Sequence, residues 1–150
     1  MNMSRTMLRG ILALLVTLSG QLRAEDVPPR SPAPASAALY FISPQDGAVV
    51  SPTFTVRFGL RGMGVAPAGV DAPNTGHHHL LIDLDELPSP SAPLPANDHV
   101  KHFGAGQTET ELTLAPGTHT LQLILGNHLH IPHDPPVVSE KITITVSEPR

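Results

Sequence analysis

The chain has 150 residues, with nine Lys and Arg against thirteen Asp and Glu, nine histidines and no cysteine. The acidic balance argues against nucleic acid and anionic membrane surfaces as partners. The lack of cysteine excludes disulfides, iron–sulfur clusters, thiolate zinc sites and blue-copper centres, so stability must come from packing.

Residues 1–24 read as a secretory signal: Arg5 and Arg9 form a positive start, Ile11 to Leu18 an apolar core, and Leu22-Arg23-Ala24 a cleavage site. The apolar run is too short to span a bilayer, and nothing later approaches the ~20 apolar residues a membrane helix needs. The mature protein is therefore expected to be soluble and periplasmic or secreted. Losing residues 1–24 removes three arginines and no acid, which leaves it more acidic still. Residues 25–37 are rich in Pro, Ala and Ser and nearly devoid of core-forming side chains, the composition of a disordered linker. Residues 38–150 are the size of one domain.

From there the pattern has period two. Ala38 to Ser43 is a short apolar strand closed by the turn residues Pro44-Gln45-Asp46-Gly47. Thr53 to Leu60 alternates, with Phe54, Val56, Phe58 and Leu60 inward. A third strand starts at the histidines of Gly76-His77-His78-His79-Leu80-Leu81-Ile82-Asp83 and runs to about Glu86. After a proline-rich connection, Thr108 to Leu114 turns Leu112 and Leu114 inward. Ala115-Pro116-Gly117 leads into His119 to Leu125, with Leu121, Leu123 and Leu125 inward, and the last strand, about Val137 to Val146, buries Ile142, Ile144 and Val146. No segment past residue 24 shows a 3.6-residue period.

Six or seven short strands with Gly and Pro turns predict an all-β, immunoglobulin-like antiparallel sandwich. Its first, second and fourth strands form one sheet, and its third, fifth and sixth the other. The third and fifth are then antiparallel neighbours, so the start of one lies beside the end of the other. His77 and His79 open the third strand; His128 and His130 follow the fifth. Provided the chain runs on straight past Gly126, alternation puts all four on the outer face at one end of that sheet. His78 has core parity and is expected to be buried and hydrogen-bonded or to support the site. His119, at the far end, is expected to be structural.

Two connections reach the same end. Residues 61–76 form a long loop containing Met63, which is expected to pack beneath it. Residues 87–107 carry His99 and His102, either of which can return to the start of the third strand. His133 lies in a loop bounded by Pro132 and Pro136, as ligand or as anchor.

The strings GHHHLLID, HFGAGQTE and PGTHTLQLILGNHLHIPHDPPVVSEKITITV resemble a family of small exported bacterial domains of unknown function, over about Tyr40 to Val146. The positions carrying the resemblance are His77, His78, His79, His102, His128, His130 and His133. It implies an exported all-β domain and no activity.

Neutral imidazole is the commonest ligand for copper and zinc, and a rigid strand presents i, i+2 histidines with little ordering cost. The expected function is therefore an exported histidine-rich protein for copper or zinc binding, storage or delivery, with ligands drawn from His77, His79, His128, His130, His133 and His102; raw affinity favours copper. The residues argue against an enzyme: there is no Cys nucleophile and no Gly-x-Ser-x-Gly elbow, and Asp83 and Asp85 lie further along the strand than a metal-bound base requires. The alternative class is a metal-free immunoglobulin-like interaction or structural module of the cell envelope, whose histidine-rich end meets a protein partner.

Overall fold

Alternation of apolar and polar residues sorts the chain into strands, and the computed structural model, which describes residues 29–148, has nine of them and no helix among those residues. One sheet has the order β1 (Ala38–Ser43), β3 (Thr53–Arg61), β7 (Glu109–Thr113). The other runs β2 (Val49–Val50), β9 (Ile142–Val146), β8 (Gly117–Gly126), β5 (Thr75–Ile82), β4 (Gly64–Val65), with β6 (Val100–His102) also paired to β5. The two sheets form the antiparallel β-sandwich, and the six principal strands divide between them as the immunoglobulin-like order predicts. Short β2 and β4 add parallel pairings to β9 and β5. The expected leader, residues 1–24, lies outside the described residues; within them no helix is long and apolar enough to cross a membrane.

Inward residues of both sheets meet in one core that includes Val56, Phe58, Leu80, Leu121, Leu123, Leu125 and Ile144. Burying each such side chain contributes about 1.5–3 kcal/mol, which makes this face of β5 and β8 the main anchor of the fold. Phe54, Leu60, Leu114 and Met63 are only partly buried but pack against the same core.

Three expectations need correction. The third strand ends at Ile82 rather than near Glu86, because Asp83 adopts φ 53° and its Oδ1 accepts the Thr120 N–H at 2.8 Å. The last strand is regular only from Ile142; before it, Val138 makes an isolated bridge to Ile124. Finally, residues 29–37 of the proline-rich stretch are not a free tether. Pro32 bridges Asp134, the Ala33 N–H donates to the Asp134 carbonyl at 3.0 Å, and Ala33 and Ala37 pack on the core. Arg30 donates to the carbonyls of Pro132 and His133. Proline-rich composition lowers the entropy lost on docking, so a low apolar content did not preclude it.

The outer face of β5 is also covered. Every residue from Gly76 to Ile82 is buried, on both faces. A second, smaller cluster of Leu81, Leu94, Val100 and Ile124, with Leu84 and Val138 against it, lies on the side away from the main core. Leu94 and Val100 come from the 87–107 connection, which folds back over the sheet and is stitched to it by β6.

Candidate metal centre

The register around β5 builds the site. His77 stands opposite Gly126 of β8, and His79 stands opposite both Ile124 of β8 and His102 of β6. His77, His79 and His102 therefore share the outer face, one strand spacing apart. Ligand atoms of these three imidazoles all lie within 4.8 Å of one another. Their ring centroids form a nearly equilateral triangle: 4.9 Å for His77–His79, 5.0 Å for His77–His102 and 5.0 Å for His79–His102.

His130 adds a fourth ring. Its centroid is 4.7 Å from His102, 5.1 Å from His77 and 6.2 Å from His79. It does not arrive by strand alternation. The chain leaves β8 at Gly126 and turns, with the His130 N–H donating to the Asn127 carbonyl at 2.8 Å and His130 itself at φ 66°, a left-handed conformation uncommon outside glycine. The buried Asn127 side chain holds the turn: Oδ1 accepts the N–H groups of Leu129 and Ile131 at 2.9 and 3.0 Å, and Nδ2 donates to Ser31 Oγ at 3.0 Å. The His130 carbonyl accepts the Leu94 N–H at 2.7 Å, which joins this turn to the loop that carries His102.

A missing side chain makes room for the rings. A Cβ on Gly126 would stand 2.8 Å from His79 Cε1, and one on Gly104 would overlap the His102 ring. Both glycines are thus set by close approach of an imidazole.

The turn also redirects two of the expected ligands. His128 points its Nδ1 to Asp71 Oδ1 at 3.4 Å, away from the other rings, because the bend after Gly126 breaks the alternation that would have kept it beside His130. His133 is fully buried, with Nε2 3.1 Å from the Thr75 carbonyl and Nδ1 3.5 Å from that of Leu125, so it ties its loop to the ends of β5 and β8. His99 turns its Nδ1 to the Ile82 carbonyl at 3.0 Å. Of the two histidines in the 87–107 connection, only His102 reaches the cluster. A signal for this was present: Val100 and His102 share parity in Val100-Lys101-His102, and the structure puts Val100 in the second core and His102 one step along the same face.

The electrostatics of these rings follow from burial without partners. His77 and His79 have no side-chain exposure, and among the described residues neither nitrogen of either ring has a hydrogen-bond partner; nor has Nε2 of His102. A buried polar atom left unsatisfied costs about 1–3 kcal/mol, so a set of them facing one point needs an explanation. Burial, and then repulsion from the neighbouring imidazoles, lower His77 to about 4 and His79 to about 3, and lower His102 as well. At neutral pH the rings are uncharged and keep a free lone pair each, the form that binds a metal. The donor set, three or four neutral nitrogens with no thiolate, fits a late first-row metal such as copper or zinc.

His78 has the core parity expected of it. It packs against Phe58 with centroids 5.2 Å apart, and burial lowers it to about 4. The hydrogen bond anticipated for it is absent, since neither of its nitrogens has a partner among the described residues. His119, expected to be structural, is engaged on both sides: Nδ1 lies 2.7 Å from Asp83 Oδ2 and Nε2 2.9 Å from the Ala115 carbonyl.

Fold and site together define a small all-β sandwich with a lidded cluster of imidazoles on the outer face of its central strands. Residues 56–147 match the family described as Domain of unknown function (DUF4399), and the chain belongs to that family. No curated protein and no solved structure gives a significant match.

Proposed function

We propose that this protein is an exported copper- or zinc-binding domain that stores or delivers its ion, with His77, His79, His102 and His130 as ligands. The observation that carries the reading is the convergence of His77, His79 and His102, the first two fully buried and without hydrogen-bond partners among the described residues, with the half-buried His130 ring beside them. Folding neutral histidines into such a position costs free energy that hydrogen bonds elsewhere do not recover, whereas a metal ion would engage one lone pair of each ring at once. His128 and His133 are left out of the ligand set because Asp71 and backbone carbonyls engage them. Export rests on residues 1–24, whose charge and apolar pattern suit a cleaved leader.

The reading is non-enzymatic. Asp83 is committed to His119 and the Thr120 N–H, at the far end of β5 from the cluster, so it is not placed to serve as a base there. Untagged protein isolated from the exported fraction should carry about one equivalent of copper or zinc. Metal-free protein that also takes up neither ion on titration would overturn the assignment and promote the envelope interaction module in its place.

A further inference from the structure

The six separations between the four rings describe a polyhedron, and its shape bears on which ion it takes, given the metal-binding reading above. With metal–nitrogen bonds of about 2.0–2.1 Å and a ring nitrogen roughly 1.2 Å from its centroid, a tetrahedral ion sets all six centroid separations near ~5.2 Å. A square-planar ion instead sets four near ~4.5 Å and two trans pairs near ~6.4 Å. Five of the observed separations fall between 4.7 and 5.1 Å and one is 6.2 Å. If His79 and His130 were trans, His77 and His102 would have to be trans too, yet those two are 5.0 Å apart. The arrangement is a tetrahedron stretched along one edge.

The strands leave little freedom to flatten it. His77 and His79 alternate on one strand, His102 is pinned opposite His79 by the β5–β6 register, and the Asn127 turn sets His130. Closing a square plane would require His77 and His102 to separate by more than 1 Å, against the spacing of paired strands, by the same estimate of about 6.4 Å for a trans pair.

Charge narrows the choice further. The proposed ligands are neutral imidazoles, and among the described residues the group whose ligand atoms lie within 4.8 Å of one another contains no carboxylate. The full charge of the ion therefore stays in a site whose floor, His77 and His79, is closed to solvent. The cost of burying a charge grows as its square, so a dication is penalised about fourfold more than a monocation. We infer that the four-imidazole cage is built for cuprous copper, a d10 ion of single charge, held in a closed, distorted tetrahedron. Four protein ligands leave no open position, which suits holding an ion rather than activating a bound substrate.

The test is a three-way comparison on untagged protein, using Cu(I) prepared anaerobically with ascorbate, Cu(II) and Zn(II). Cu(I) should bind at one equivalent, withstand a chromogenic Cu(I) chelator and exceed Cu(II) and Zn(II) in affinity by at least about 100-fold; copper bound in air should become silent in electron paramagnetic resonance on mild reduction and reoxidise slowly. His130→Ala should lower Cu(I) affinity at least about tenfold with an unchanged circular dichroism spectrum; if that variant does not fold, His102→Ala on the other covering loop gives the same readout. One equivalent of Cu(II) with an axial, tetragonal resonance spectrum and affinity matching Cu(I) would overturn the inference, and so would displacement of Cu(I) by equimolar Zn(II). Either result leaves metal binding itself intact. Failure of all three ions to bind would instead remove the metal-binding reading on which this one stands.

Discussion

The two ends of strand β5 treat the same side chain in opposite ways. At one end His119 reaches across to Asp83, gives each of its nitrogens a partner, and is raised above the ordinary histidine value chiefly by the hydrogen bond to that carboxylate. At the other end His77 and His79 have no hydrogen-bond partner among the described residues and are pushed down to about 4 and about 3 by burial and then by neighbouring imidazoles. His78 is also buried and without a partner among the described residues, but it packs singly against Phe58 in the core; what marks His77 and His79 is that they are neutral, unsatisfied and grouped with other imidazoles. That contrast separates an anchor from a candidate ligand more sharply than the count of histidines does.

The largest test of the contrast is acid. For His77, His78 and His79 the folded value lies below the unfolded 6.5, so between the two values the unfolded chain binds more protons than the native one. Stability of the metal-free protein should therefore be full above about pH 6.5 and fall as pH drops through that value, down to about pH 4 for His77 and His78 and about pH 3 for His79. Each group contributes up to roughly 1.4 kcal/mol per pH unit in its window, enough together to unfold a small domain. Urea melts between pH 4 and 8 measure this directly, and a stability flat across that range would mean the rings are not buried neutral.

Next in size is the loss of binding. Replacing His79 and His130 together by Ala should lower affinity for a bound copper ion at least about 100-fold, while His119→Ala leaves it unchanged. Titration of untagged wild type and both variants between pH 5 and 8 should also show affinity falling steeply below about pH 6 in the wild type, as protons compete for the same lone pairs. Equal affinity in the three proteins would erase the distinction between the two ends of β5. Because His79 is fully buried, the double variant also needs a thermal melt alongside it to show that the fold persists.

A smaller effect is expected at Gly126. A Cβ there meets His79 Cε1 at 2.8 Å, so Gly126→Ala should push the ring from its position, destabilise by about 1–3 kcal/mol and weaken metal binding roughly tenfold. Wild-type affinity in this variant would show that His79 is free to move and that the cage is less fixed than its register implies.

The smallest effect belongs to the anchor itself. With its folded value raised, His119 contributes stability that is fully present below about pH 6.5 and is lost as pH rises through the folded value, the reverse of the cluster. The pair is part-exposed, with the Asp83 side chain 38% accessible, so solvent screening limits the charge contribution to under about 1 kcal/mol. A His119→Gln variant should lose that increment at pH 6 and almost nothing at pH 9, as read from paired denaturant melts.

The division between what was legible and what was not follows the range of the interactions. Alternation along Thr53–Leu60, His77–Ile82 and His119–Leu125 is a local property, and it sorted inward from outward residues; the immunoglobulin-like strand order then paired β5 with β8 and placed His77, His79 and His130 at one end of one sheet. His130 was found for an incomplete reason, since it arrives through a turn rather than along a continued strand. The same turn sent His128 to Asp71, and Asn127, whose side chain shapes it, has no period-two signature.

Sequence by itself determined the period, the six principal strands and that His77 and His79 face away from the main core while His78 faces it, because each of these depends only on neighbours along the chain. Only the tertiary structure decided that the outer face is covered, that a short strand pairs His102 opposite His79, and that residues 29–37 lie docked against the His133 loop. Those outcomes depend on how two long connections return across the sheet, where backbone hydrogen bonds between segments far apart in the chain select one register among many that the same residues would allow.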